Sequence, residues 1–339
     1  MHMVDALVSP AVGGVMTAIT VGTIGYSVKK ISGVNFDEKK IPMMGVMGAF
    51  IFAAQMIDFV IPGTGSSGHI GGGVLLAALL GPLHALITIA SVILIQCLFF
   101  ADGGLLAYGC NVFNLGICAS LLAYQFLYKP IIKRGLNKRN ITIASVVAVT
   151  LGLQAGAFGV VIQTLLSGVT ELPFGAFVVL MQPIHLAIGL VEGIITAAVL
   201  CFVFSTHPEL LESSVANSKI EKRVSLKRVL VIFSIMALLI AGGFSMIASS
   251  LPDGLTWSIE GVAGDVEIER DTAIHETTGN IVEFTAFMPD YTFSGEEDAA
   301  PFETAVAGIL GSIFVLLLAG GIGYTIHTIR KTLQVKPIT

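Results

Sequence analysis

The sequence predicts an all-α polytopic membrane protein: seven helices in a bundle with the N-terminus outside and inserted, then two more transmembrane helices flanking an acidic extracytoplasmic loop. Three observations predict it. Of 339 residues, 54% are hydrophobic and 12% charged, with a mean hydropathy of +0.87, well outside the range of soluble domains. The apolar residues gather into runs long enough to cross a bilayer. The basic residues cluster between those runs, as they do when positive charge stays in the cytoplasm.

Taking roughly 20 apolar residues as a spanning length, helices are expected near 10–28, 41–62, 83–101, 107–128, 141–167, 174–205, 229–250 and 304–326. A shorter apolar piece, 70–80, lies between Pro62 and Pro82; at ~1.5 Å per residue it is too short to cross alone. Lys29, Lys30, Lys39 and Lys40 mark one cytoplasmic connection, Lys129, Lys133, Arg134, Lys138 and Arg139 a second, and Lys219, Lys222, Arg223, Lys227 and Arg228 a third. If these and the basic tail are inside, an odd number of crossings must separate Pro62 from Lys129. The 70–80 piece then supplies the third, entering from a loop sunk into the protein. The count becomes seven crossings to about residue 206 and nine in all, with the N-terminus outside.

Three units follow: 1–206, a cytoplasmic linker 207–228, and 229–339 with its loop at 251–303. That loop holds thirteen carboxylates against one basic residue, Arg270. Their repulsion argues against a compact core there, although Val266, Ile268, Phe284 and Phe287 offer a short hairpin. The four cysteines lie in apolar runs with no Cys-x-x-Cys pair and read as packing residues. No signal peptide is expected, because the first residues lack a basic region and Asp5 precedes any apolar core. Histidine at position two should also protect Met1 from trimming.

The chemistry concentrates at Met1-His2 and at His69, in the run Gly63-Thr-Gly-Ser-Ser-Gly-His-Ile-Gly-Gly72. The topology places both on one side of the membrane. One amine, one backbone nitrogen and the His2 imidazole can close adjoining chelate rings, and His69 adds a fourth nitrogen. A planar set of nitrogens suits Ni(II) or Cu(II) better than Zn, Mg or Ca. The plainer reading is a frayed terminus and a satisfied loop histidine, and the residues alone leave both open. Asp58, placed inside the second helix, should face the interior. Ser66, Ser67 and Thr64 are candidates to orient the His69 ring, and Asn111 and Asn114, three apart on one helix face, to support the site. His185 and Glu192, seven residues apart on one helix, form a rival site for a cation or protons, or else a buried packing pair. His84, His207 and His327 read as solvated. No Gly-x-x-x-x-Gly-Lys-Ser/Thr run occurs, so the chain has no P-loop of its own. No catalytic residue, resident cofactor or nucleic-acid partner is expected.

Met1-His2-Met-Val-Asp5, Ser9-Pro10, the glycine-rich run with His69, Asp102-Gly-Gly104, Asn111-Val-Phe-Asn114 and the His185 to Glu192 segment together resemble the CbiM/NikM family. These are the substrate-binding (S) components of energy-coupling-factor transporters for cobalt or nickel. The resemblance covers roughly residues 1–205; beyond 229, the two helices and Pro252-Asp-Gly-Leu255 resemble the CbiN/NikN-type, or PDGLE, module. It implies metal binding by the Met1 amine, the His2 backbone nitrogen and imidazole, and the His69 imidazole. It also implies a CbiQ/NikQ-type transmembrane coupling subunit, two CbiO/NikO-type ATPases and a lipid setting, with nickel enzymes or cobalamin synthesis as destinations for the metal. The sequence departs from the family's Met-His-Ile-Pro-Asp-Gly start at Met3, Val4 and Ala6, and Asp58 stands where asparagine is usual. A different class, an ion-coupled secondary transporter or channel working through His185 and Glu192, would need no ATPase.

Overall fold

In the computed structural model the described residues are 1–33, 37–168, 172–220, 226–263, 272–293 and 300–334. Among them the architecture is helical. The helices of the first unit are α1 (Pro10–Ile31), α2 (Lys40–Gln55), α3 (Gly73–Leu80), α4 (Pro82–Phe100), α5 (Tyr108–Ile132), α6 (Lys138–Ser167) and α7 (Phe174–Thr206). A short α8 (Pro208–Ala216) follows. The second unit contributes α9 (Leu226–Gly242), α10 (Gly254–Ala263), α11 (Ala273–Thr285) and α12 (Pro301–Gln334). Seven described helices are long and apolar enough to cross a membrane; α2 is a shorter apolar helix, and α3 shorter still.

Local chemistry explains the ends of these elements. Ser9 caps α1, its hydroxyl accepting from Val12 N, with Pro10 in the first turn where a missing N–H costs nothing. Asn137 caps α6 in the same way. The second helix stops at Gln55, not near residue 62 as its apolar run suggested. Phe59–Ile61 instead forms strand β1, paired antiparallel with β2 (Ser66–Gly68). A short apolar run of aromatic and β-branched residues reads equally as strand or helix, and the turn chemistry decides. Gly63 and Gly65 adopt φ +79° and +75°, which L side chains rarely tolerate. Asp58 is therefore not within a helix but in extended chain, half-buried, just before β1.

Packing relies on small residues, since lipid offers no hydrophobic drive between helices. A Cβ on Gly189 or Gly193 of α7 would sit 2.9 or 2.8 Å from the α6 backbone at Thr150 or Val146. On the other side α12 lies against α2, where Gly311 meets the Phe52 ring and Ser312 Oγ donates to Ala49 O at 3.2 Å. The second unit is thus packed into the first. Outward faces expose Val21, Phe126, Leu166, Val179, Ile194 and Leu317, as a lipid-facing surface requires.

The acidic loop departs from expectation. It carries two helices, and Phe284 and Phe287, offered for a hairpin, lie at the end of α11 and just beyond it; Val266 and Ile268 fall outside the described residues. Asp253 and Thr272 cap α10 and α11 through Thr256 N and His275 N. Three of the cysteines are buried and Cys201 partly so, all with free thiols. Of the histidines expected to be solvated, His84 is half-buried, His207 Nδ1 lies 3.2 Å from Glu209, and His327 Nδ1 lies 3.6 Å from Glu38.

Candidate metal centre

The first nine residues thread into the bundle. Met1, Met3 and residues Asp5 to Val8 are buried while Val4 is exposed, and the pattern follows how the segment is gripped. Asn111 clasps Met3 from both sides, accepting from its N–H at 2.7 Å and donating to its carbonyl at 3.0 Å, and Gly104 N donates to the same carbonyl at 2.9 Å. Asn114 donates to the Met3 sulfur at 3.7 Å and is itself locked by reciprocal bonds with Gln163. Asp5 accepts from Ala107 N at 3.0 Å. Glycine is required at 104 because any side chain there would overlap the Asp5 carboxylate.

This threading brings the Met1 amine to 3.5 Å from His69 Nε2. Two donors bound to one cation at ~2.0–2.1 Å cannot be more than ~4.2 Å apart, so this pair can share an ion. His69 Nδ1 lies 3.2 Å from the Ile70 carbonyl; a carbonyl only accepts, so Nδ1 carries the proton and Nε2 keeps a lone pair toward the amine. Burial, then the nearby amine and His2, depress its basicity to about 3. The His2 ring lies parallel to that of His69, centroids 5.4 Å apart and planes within 6°. Its Nδ1 contacts Asp102 Oδ1 at 3.1 Å, and its Nε2 is buried without a partner. A chelate through the His2 backbone nitrogen would use Nδ1, so the ring must exchange Asp102 for metal.

Two carboxylates of this centre escaped the sequence reading of the site. The Met1 amine forms an ion pair with Asp253, from the second unit. Residues 251–253 reach it by running beside β2: Ser67 N donates to Pro252 O at 2.9 Å and Ser67 Oγ to Leu251 O at 2.7 Å. Ser67 therefore orients this strand and makes no bond to His69, while Thr64 Oγ1 donates to Ile61 O. Asp102, the other carboxylate, accepts from Tyr291 Oη at 2.6 Å, again a second-unit residue. Burial alone would raise both carboxyls. The Met1 amine at Asp253, and His2 with Tyr291 at Asp102, outweigh that and hold both well below the usual carboxylate range. The signal for Asp253 lay in Pro252-Asp-Gly-Leu255; its charge could have been weighed as a site residue. His275 gave none, yet it is buried and its Nε2 donates to Asp5 O and Val8 O at 3.2 and 2.9 Å.

Asp58 borders the same centre. It lines a cavity of about 330 Å³ together with His2, His69, Asp102, Asp253 and Asp290. Burial and the Asp253 charge push its carboxyl up to about 7. His185 and Glu192 go to different partners. Glu192 Oε1 accepts from Gly72 N at 2.8 Å, capping α3, whereas His185 lines a small cavity with Met1, His69 and Asp253. Among the described residues, no three His, Cys, Asp or Glu side chains converge closely enough to hold a metal. The nitrogens that do converge are the Met1 amine and the imidazoles of His69 and His2.

Residues 2–210 match the family described as the cobalt uptake substrate-specific transmembrane region, CbiM. The chain belongs to the CbiM family. Its residues 227–328 match the PDGLE domain, so this is a CbiM/NikM-type membrane transport protein with a CbiN-like module fused behind it. A putative fused nickel transport protein, NikMN, of Archaeoglobus fulgidus is 31% identical over 94% of this chain and 96% of its own length. The fused nickel transport protein NikMN of Rhodobacter capsulatus is 26% identical over 95% and 96%. A crystal structure of a truncated transition metal transporter superposes with a TM-score of 0.54 at 31% identity, covering 61% of this chain and all of that one. The CbiM match contains His2, His69, Asp102 and Asn111, and the PDGLE match contains Asp253, His275 and Tyr291. Both matched regions therefore contribute residues to one centre.

Proposed function

We propose that this chain is the substrate-capture membrane subunit of an ATP-driven energy-coupling-factor importer for Ni(II) or Co(II). The observation that carries the reading is the approach of the Met1 amine to His69 Nε2 at 3.5 Å, with His2 between them in sequence and stacked on His69 in space. The cage consists of the Met1 amine, the His2 amide and imidazole, and the His69 imidazole. Metal arrives through the acidic cavity at Asp58, Asp102 and Asp253, which concentrates divalent cations. The N-terminus faces outside, and the positive clusters at the other helix ends face the cytoplasm.

Capture exchanges partners. The Met1 ammonium and the His2 amide each release a proton to solvent through the acidic cavity, the His2 ring shifts its proton from Nδ1 to Nε2 as Nδ1 leaves Asp102, and both carboxylates stay beside the ion to balance its charge. Asn111, Asn114 and Gly104 position the terminus, and the second unit closes over it and assists loading. Transport itself requires a CbiQ/NikQ-type coupling subunit and two CbiO/NikO-type ATPases, whose ATP cycle reorients this subunit. Because Glu192 caps α3 while His185 faces Met1, the ion-coupled reading based on that pair is not adopted.

Metal analysis of the purified chain tests the proposal. With its native N-terminus it should retain one equivalent of nickel or cobalt, and lose it in acid as the nitrogens protonate. Retention that survives His2→Ala or a residue added before Met1 would refute the cage.

A further inference from the structure

His185 is a buried imidazole that lines one cavity with Met1 and His69, and capture, as described above, does not use it. It is 1% exposed. Its Nδ1 lies 2.8 Å from the Met181 carbonyl within α7, which can only accept, so Nδ1 is the protonated nitrogen and Nε2 bears the lone pair of the neutral ring. That Nε2 is fully buried and has no hydrogen-bond partner. A buried acceptor left unpaired is costly, so its orientation calls for a ligand.

The space it faces has a definite size and lining. A cavity of about 10 Å³ is bounded by Met1, His69, His185, Asp253 and the apolar Leu115, Leu153 and Ile188. About 10–15 Å³ on this measure holds one water, provided two to four polar partners surround it. Met1, His69, Asp253 and His185 satisfy that condition. His69 and Asp253 also line the larger acidic cavity, so these two residues stand between that cavity and this small one. Nothing larger than a water fits on the inner side.

Resting on the cage proposed above, we infer that His185 is a positioning residue that sets the metal's coordination number. Its Nε2 accepts a hydrogen bond from a single water that binds the captured ion from the α7 side as a fifth donor. Four nitrogens in a plane satisfy low-spin Ni(II), which gains little from a fifth ligand. Co(II) takes five or six donors readily and gains from a held water. His185 thereby widens the site's choice from nickel to cobalt.

The test uses the full chain with its native N-terminus, loaded separately with Co(II) and Ni(II). Chelator competition on His185→Leu should show Co(II) affinity falling by about tenfold or more, the worth of one charge-assisted hydrogen bond. Ni(II) affinity should change far less, and the visible spectrum of bound Co(II) should move toward that of a four-coordinate planar ion. His185→Gln, whose amide oxygen also accepts, should recover most of the Co(II) affinity. Equal losses for both metals, or an unaltered Co(II) spectrum, would overturn the inference. A reading independent of any variant is the electron spin resonance of Co(II) bound to the unsubstituted chain in oxygen-17 water. Broadening supports a bound water, and its absence overturns the inference even if His185→Leu does not fold. His69→Ala separates the two levels: loss of both metals there leaves the cage standing whatever His185 does, whereas retention of both would bring down the cage and this inference with it.

Discussion

The carboxylate of Asp253 pairs with the α-amine of Met1, joining residues 252 positions apart at one point inside the protein. Asp253 also caps α10 through Thr256 N, so a single side chain ties the amine to the start of a helix. The consequence is that each unit stabilises the other through a site residue.

Asp253→Asn keeps an acceptor for the α10 cap and removes the negative charge from the amine. The metal-free chain should lose about 1.5–3 kcal/mol, the range for a hydrogen bond to a charged group. Thermal unfolding in detergent measures it. An unchanged midpoint would mean the ion pair contributes nothing net.

Asn111→Leu leaves the Met3 N–H without its acceptor in a buried setting, while Gly104 N still serves the Met3 carbonyl. Stability should fall by about 1–3 kcal/mol. Metal retention should fall with it, because Met3 fixes the depth of Met1 and His2. The decisive comparison is bound metal per chain in the folded fraction of each protein.

A single residue placed before Met1 moves the amine out of the pocket shared with His69 and Asp253. Stability of the metal-free chain should fall about as far as in Asp253→Asn, because the same ion pair is lost, and nickel or cobalt retention should be abolished in the fraction that folds. Elemental analysis after size-exclusion chromatography reads this directly.

The metal-free chain should show two opposed pH dependences. Asp58 titrates at about 7 in the folded protein against 3.8 ordinarily. Its folded value is raised, so its contribution is fully present below about 3.8 and declines as pH rises toward 7. His69 titrates at about 3 against 6.5. Its folded value is depressed, so stability falls as pH drops from 6.5 toward 3. Asp58→Asn should therefore gain on the unsubstituted chain as pH rises between 4 and 7, and His69→Ala should gain as pH falls below 6.5. Melting curves across that interval distinguish the two slopes.

Much of the fold was legible in the sequence because membrane helices announce themselves through length and charge. The 70–80 piece was placed as a helix by topology alone, and α3 spans Gly73–Leu80. The end of α2 was not legible, since Ile57-Asp-Phe-Val-Ile61 suits a strand as well as a helix and only the Gly63 and Gly65 backbone settles it. His69 and the terminal histidine stood out as rare chemistry. Asn111 and Asn114 stood out as supporting residues on one helix face, though their grip on Met3 needed coordinates. Asp253 and His275 were hidden because both lie in a loop whose thirteen carboxylates imply solvation. Repulsion averaged over a segment says nothing about the single aspartate or histidine that a tertiary contact selects.

The alignment of residues 251–253 alongside β2 has a kinetic side. Because one chain carries both units, the segment that bears Asp253 is always at hand, at an effective concentration in the millimolar range for a tethered partner. A contact that would be too weak to hold two separate proteins together then suffices to keep the centre covered.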